Sequence, residues 1–210
     1  MESMQVEVAR LLLQINAIKV QPSTPFTWAS GWKSPIYCDN RKILSFPVAR
    51  TCIRDRFVEI VSGQYPDVEV IAGVATGAVA HGALVAEKMG LPFIYVRSEP
   101  KSHGLENLIE GNLETGQKVV IIEDLVSTGG SSLKAAAAIR NFGANVLGMV
   151  AIFTYEFPQA QENFTKAGLR LTTLSCYQVL IDQAMKMGKI TEEEVKNLML
   201  WREDPANWGK

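Results

Sequence analysis

The chain has 210 residues, 47% of them hydrophobic and 20% charged, enough to bury about 70% of its unfolded surface without staples. Its net charge of -1 argues against a general nucleic-acid or membrane surface, so attraction for a polyanion has to be built locally. Cys38, Cys52 and Cys176 are far apart and form no C-x-x-C pair, which predicts free thiols in a reducing cytoplasm.

Residues 1–19 place Val8, Leu11, Leu12, Ile15 and Ile18 at helical spacing behind early acids. That predicts an amphipathic helix rather than a signal peptide, and no stretch is long enough to span a bilayer. Residues 20–41, rich in Pro, Gly, Ser and aromatics, predict loops with short strands, and 46–62 predict a helix. Strands and helices then alternate: strand 68–72, helix 79–89 closed by Gly90, strand 93–96, a polar loop to 115, strand 118–122, a helix ending at 142 before Gly143, and strand 146–153. Such alternation predicts an α/β fold, a mainly parallel sheet with helices on both faces. A helix over 159–167, a strand over 170–174 and two more helices follow, the last over 192–201 behind Thr191 with Glu194 at the capping-box position. The expected organisation is a single domain over 1–210, with a core of about 46–153 and a small cap, or hood, formed by 1–45 and 154–210.

Residues 119–132 carry the chemistry. Val119, Val120, Ile121 and Ile122 read as a buried strand, Glu123 and Asp124 stand at its carboxyl end, and Ser127, Thr128, Gly129, Gly130 and Ser131 lead into an alanine-rich helix. Free amides in a first helical turn favour a phosphate, the hydroxyls add donors, and Gly129 and Gly130 leave the anion room. Carboxylates repel that phosphate, so the two acids need another partner. A ribose supplies one, because its 2- and 3-hydroxyls donate to carboxylates while its 5-phosphate fills the turn. The same acids would stabilise positive charge developing at ribose C1. A nucleoside-triphosphate loop is excluded, since Gln117 stands where the Walker lysine belongs, and no G-x-G-x-x-G follows a strand.

Two loops add to this site. The turn Gly73, Val74, Ala75, Thr76, Gly77 lies at a strand's carboxyl end, where open parallel sheets bind ligands, although a glycine-rich turn is also an ordinary strand-to-helix connection. The polar stretch from Arg97 through Lys101 and His103 to Gly111 fits a mobile lid, or simply solvated charge. His81 reads as structural, and Cys38 has no base beside it to make it a nucleophile.

The acid pair with its Ser/Thr/Gly loop resembles the signature of the type I phosphoribosyltransferases, which use 5-phosphoribosyl 1-diphosphate (PRPP). The spacing of Arg97, Lys101, His103 and Gly104 resembles the catalytic loop of the orotate phosphoribosyltransferases. The segment from Phe26 and Thr27 through Ser30, Gly31, Ser34, Pro35 and Tyr37 resembles the F-T-x-x-S-G-x-x-S-P-x-Y wall of their orotate pocket. Trp201, Arg202, Glu203, Asp204 and Pro205 match a terminal pattern of one bacterial branch.

The resemblance implies the type I fold and transfer of phosphoribose from PRPP to orotate, giving orotidine 5-monophosphate in pyrimidine synthesis. Glu123 and Asp124 would hold the ribose, residues 127–131 the 5-phosphate, and Thr76 and Gly77 the diphosphate. Arg97, Lys101 and His103 would stabilise the leaving group. Mg2+ would come in on PRPP and water rather than in a protein cage. A cytoplasmic homodimer with shared active sites is also implied.

Four family cations are replaced, by Ala29, Thr76, Ser98 and Tyr155. Arg41 is then a candidate partner for the orotate carboxylate, or equally one half of an ion pair within the cap. Phe26, Trp28, Trp32 and Tyr37 are candidates to stack on a pyrimidine or to form the cap's own core. Within the same class the alternatives are transfer to xanthine, hypoxanthine or uracil. Outside it, the alternative is a non-catalytic PRPP-sensing regulator.

Overall fold

The computed structural model describes residues 3–28, 31–99 and 108–208. At the amino end Ser3 caps α1 (Met4–Gln14), which buries Val8, Ala9, Leu12 and Leu13. The helix stops short of the predicted end at 19, because Asn16 turns the chain at φ +52° and Ile18 is buried in β1 (Ile18–Val20) instead. Ile15 and Ile18 fit a helical period as well as a strand, and pairing with a distant segment decides between them. That partner is β4 (Ile36–Cys38), antiparallel to β1 and preceded by the short pair β2 (Phe26–Thr27) and β3 (Lys33–Ser34). A 3-10 turn (Asn40–Ser45) leads into α2 (Pro47–Gln64), close to the predicted helix.

The alternating pattern becomes β5 (Val70–Val74), α3 (Val79–Met89), β6 (Phe93–Val96), β7 (Ile109–Glu110), β8 (Lys118–Val126), α4 (Gly130–Phe142) and β9 (Asn145–Thr154). Gly90 and Gly143 close α3 and α4 as predicted. The chain ends with α5 (Pro158–Lys166), β10 (Leu171–Cys176), α6 (Tyr177–Lys186) and α7 (Glu192–Glu203), and Thr191 and Glu194 form the predicted capping box. The six-stranded sheet runs β10-β9-β8-β5-β6-β7, parallel except for the unpredicted two-residue β7. Two residues give β7 no period of its own to read.

Each sheet face carries its own apolar core. Ile71, Val120, Ile122, Val150 and Ile152 pack under α1, α2, α3 and α6, whereas Val70, Ala72, Ile121, Met149 and Ala151 pack under α4 and α5. The chain ends interlock: α1 lies against α6 and β10, and Ser175 Oγ donates to the Gln5 carbonyl at 2.9 Å. Trp201 is fully buried among Trp28, Tyr155, Phe157 and Tyr177 and donates through Nε1 to the Lys33 carbonyl at 3.2 Å. Strand β10 joins the main sheet, so residues after 153 contribute to it as well as to the outer layer.

Candidate active site

Strand β5 leads through α3 to its neighbour on one side, and β8 leads through α4 to its neighbour on the other. The strand order therefore switches between β5 and β8, where open α/β sheets leave a crevice at their carboxyl ends. The two strands pair only as far as Gly73 and Ile122. Beyond that point they frame a cavity of about 350 Å3, lined by Val74, Ala75, Thr76 and Gly77 on one wall and by Glu123, Asp124, Ser127, Thr128, Gly129, Gly130, Ser131 and Ser132 on the other. Two segments fifty residues apart in the chain thus meet in one pocket, as the sequence suggests. The Ala75–Thr76 peptide is cis.

The floor of the pocket is the start of α4. Its first backbone bond runs from Leu133 N–H to the Gly129 carbonyl at 2.9 Å, so the amides of Gly130, Ser131 and Ser132 have no acceptor within the helix. Free amides at the positive end of a helix dipole can receive an anion. Helix α4 begins at Gly130, three residues before its run of good helix formers, so the hydroxyl residues that read as loop are already its first turn. Gly129 holds φ +83°, and a Cβ there would lie 2.8 Å from Phe164 Cε2. Nothing lies near a Cβ built at Gly130. The room for an anion is therefore above Gly130, and Gly129 is required by the turn and by Phe164. Asn163 Nδ2 steadies the loop from α5 by donating to the Thr128 carbonyl at 3.0 Å.

The acids differ from the sequence expectation. Strand β8 runs through them to Val126, because Glu123, Leu125 and Val126 still pair with β9, so they lie within the strand rather than past its end. Successive strand residues point to opposite faces. Glu123 turns toward α4, accepting from Ser132 Oγ at 2.8 Å and from the Asp124 N–H at 2.9 Å, and is nearly fully buried. Burial, with the Asp124 charge beside it, pushes the Glu123 carboxyl well above its usual range. Asp124 turns toward the α3 side, packed so closely on Gly77 that a Cβ there would overlap the carboxyl.

The remaining sequence candidates are distributed around this pocket. Arg97 follows β6 and lines an adjoining cavity that shares Val74, Ala75, Gly130 and Ser131 with the first, and its guanidinium lies 3.5 Å from Glu110. Lys101, His103 and Ala29 lie outside the described residues. Arg41 pairs through Nε with Asp39 at 2.7 Å, the ion-pair alternative, and is not among the cavity's lining residues. Tyr37 is partly exposed with its ring 5.5 Å from that of Phe26, whereas Trp28 belongs to the aromatic core of the outer layer. Tyr155, at a position where the sequence suggests a lost cation, fills that same core at 2% exposure. Burial pushes the Cys38 thiol well up, which keeps it protonated, as expected of a non-nucleophile. Among the described residues no group of three or more His, Cys, Asp or Glu is placed to hold a metal.

Asn163 and Asn40 were not legible as site residues, and Ser132, within the stretch 119–132, had no role of its own assigned. Ser132 follows five other small residues, and only the i+9 reach back to Glu123 separates it from them. The two asparagines act from distant segments, which no local spacing reveals.

Comparison with known proteins gives a consistent picture. Residues 50–167 match the family described as the phosphoribosyl transferase domain. The chain is 59% identical over 202 residues to the orotate phosphoribosyltransferase of Porphyromonas gingivalis, covering 96% of each chain. It is 58% identical over 208 residues to that of Phocaeicola vulgatus, covering 99% of this chain and 98% of the relative. The orotate phosphoribosyltransferase structure from Aeropyrum pernix superposes with a TM-score of 0.76 at 26% identity, over 88% of this chain and 99% of that one. The Mycobacterium tuberculosis enzyme in complex with PRPP gives 0.66 at 26% identity, over 84% of this chain and 98% of that one.

Proposed function

This chain belongs to the orotate phosphoribosyltransferases, and from that premise we propose that its crevice binds PRPP and orotate and joins ribose C1 to orotate N1 as the C1–O bond to diphosphate breaks. The electron pair of the broken bond leaves with the diphosphate, and the proton that orotate N1 gives up goes to the departing diphosphate or to water. One observation carries the reading: the open amides of α4 and the Asp124 carboxyl line a single cavity, so a phosphate and sugar hydroxyls have complementary partners on the same wall.

In this reading the amides of Gly130 and Ser131, with the Ser127 and Thr128 side chains, hold the 5-phosphate around the Gly129 turn. Asp124 accepts from the ribose hydroxyls and stabilises positive charge at C1. Glu123, fixed by Ser132, flanks the ribose from the α4 side. Thr76 and Gly77 flank the diphosphate. Arg97 borders it, and Lys101 and His103 complete the leaving-group side. Tyr37 and Arg41 belong to the orotate side, with the Arg41 guanidinium shared between Asp39 and the substrate carboxylate.

Magnesium would be held mainly by PRPP oxygens and water, the ligands a hard cation prefers, beside the Glu123 and Asp124 carboxyls. When bound it neutralises diphosphate charge. We read the chain as one domain whose core of about 46–153, extended by β10, is covered by a hood of the two ends. A cytoplasmic homodimer sharing its sites completes the proposal.

The direct test mixes the protein, magnesium and PRPP with orotate, xanthine, hypoxanthine or uracil and follows the base's ultraviolet absorbance. Loss of orotate absorbance with release of diphosphate is expected. Turnover of another base with none of orotate would overturn the assignment.

A further inference from the structure

Asn40 opens the 3-10 turn after β4, in the amino-terminal segment, yet its side chain is only 1% exposed and lies against β8 behind the crevice. Its Nδ2 donates to the backbone carbonyl of Asp124 at 2.5 Å, a contact spanning 84 residues of sequence. The direction of the amide follows from chemistry. Turned over, it would set Oδ1 against the Asp124 carbonyl, two acceptors face to face.

Oδ1 has no hydrogen-bond partner among the described residues, so the bond to Asp124 is the amide's only one there. A buried amide left half satisfied costs stability. Packing alone would be served better by an apolar side chain of the same size, so what the amide contributes is its bond to Asp124. Around it stand Cys38 and His81, both within electrostatic reach of Asp124, and burial pushes the thiol up and the imidazole down so that both stay neutral. On the other side the diphosphate loop presses Gly77 onto the Asp124 carboxyl. The acid is therefore gripped from two elements, its backbone by the hood and its carboxyl by the loop.

Sites that stabilise developing charge need their groups held to about 0.5 Å, by partners whose own positions are fixed. We propose that Asn40 is a positioning residue that aims the Asp124 carboxyl at the ribose hydroxyls by fixing the carbonyl of Asp124 from the hood. The inference rests on the reading of Asp124 as the ribose acid. It makes the segment that walls the base side also responsible for the geometry of the sugar side.

The test uses the full-length protein and titrates magnesium with PRPP by calorimetry, alongside KM for both substrates. Asn40→Leu removes the donor at similar size, and Asn40→Asp replaces it with an acceptor facing a carbonyl. Should the leucine variant fail to fold, the aspartate variant serves the same test. A loss of about tenfold in PRPP affinity is expected for N40L, the scale of one buried hydrogen bond, and a larger loss for N40D. The orotate KM should stay within about twofold.

Asp124→Asn provides the reference. Because Asn40 acts through Asp124, the N40L/D124N double variant should bind PRPP no more weakly than D124N alone. Unchanged PRPP affinity in N40L, or losses that simply add in the double variant, would overturn the inference. A merely structural asparagine would instead lower kcat with the folded fraction and leave KM for PRPP unmoved. Unchanged PRPP binding in D124N itself would remove the ribose role of Asp124, a failure of the functional reading rather than of Asn40.

Discussion

Glu123 and Asp124 are chain neighbours with separate surroundings, one fastened to Ser132 of α4 and the other packed on Gly77. The raised Glu123 carboxyl has a consequence for stability. Its proton is held more tightly in the folded protein than in the unfolded chain, whose carboxyl titrates near 4.5, so this group's contribution is full below that pH and is lost as pH rises through the folded value. Glu123→Gln keeps the shape and removes the titration. Its stability relative to the parent should therefore rise with pH above 4.5, as read by urea denaturation at a series of pH values. A constant difference would contradict the buried-carboxyl account. Ser132→Ala should cost about 1–3 kcal/mol by leaving Glu123 Oε2 without its donor, measured the same way. At this scale the sequence was partly legible. The acids, hydroxyls and glycines announced the chemistry, but one residue of strand phase decides which face each acid serves, and pairing with β9 set that phase.

Element boundaries followed the same logic. Local signals located α3, whose last turn ends at Gly90, and α7, whose Thr191–Glu194 box sits where the sequence placed it. Tertiary pairing moved the others: β8 runs four residues past its apolar stretch, and α1 yields Ile18 to a strand. Gly129 shows how tightly the α4 entry is specified, since its φ of +83° and its contact with Phe164 both exclude a side chain. Gly129→Ala should destabilise the protein by about 1–3 kcal/mol, with its effect on PRPP binding following from a displaced turn rather than a blocked phosphate. Thermal and urea unfolding check the first part, and an unchanged midpoint would contradict it. Thr191→Ala should cost about 1 kcal/mol through loss of the α7 cap, since the hydroxyl holds the Glu194 N–H.

For the whole molecule, the doubly wound order of strands creates the crevice, and the amino-terminal segment brings Asn40 to the Asp124 carbonyl. Alternating strands and helices made the sheet legible in advance. The joining of the ends was less so, because Trp201 meeting the Lys33 carbonyl is a contact across 168 residues. If the Lys101 loop serves the partner's site, two inactive variants, Lys101→Ala and Asp124→Asn, should regain activity when mixed and allowed to exchange subunits. Lys101→Ala alone should lose roughly a hundredfold in kcat, about 3 kcal/mol of transition-state stabilisation, with unchanged melting.

The most direct test is a crystal structure with PRPP and magnesium. The 5-phosphate should rest on the amides of Gly130 and Ser131, the ribose hydroxyls on Asp124 and the diphosphate beside Thr76 and Gly77. PRPP lodged elsewhere, for example in the cavity between Phe157, Phe164 and Leu171, with the β5–β8 crevice empty, would contradict the account.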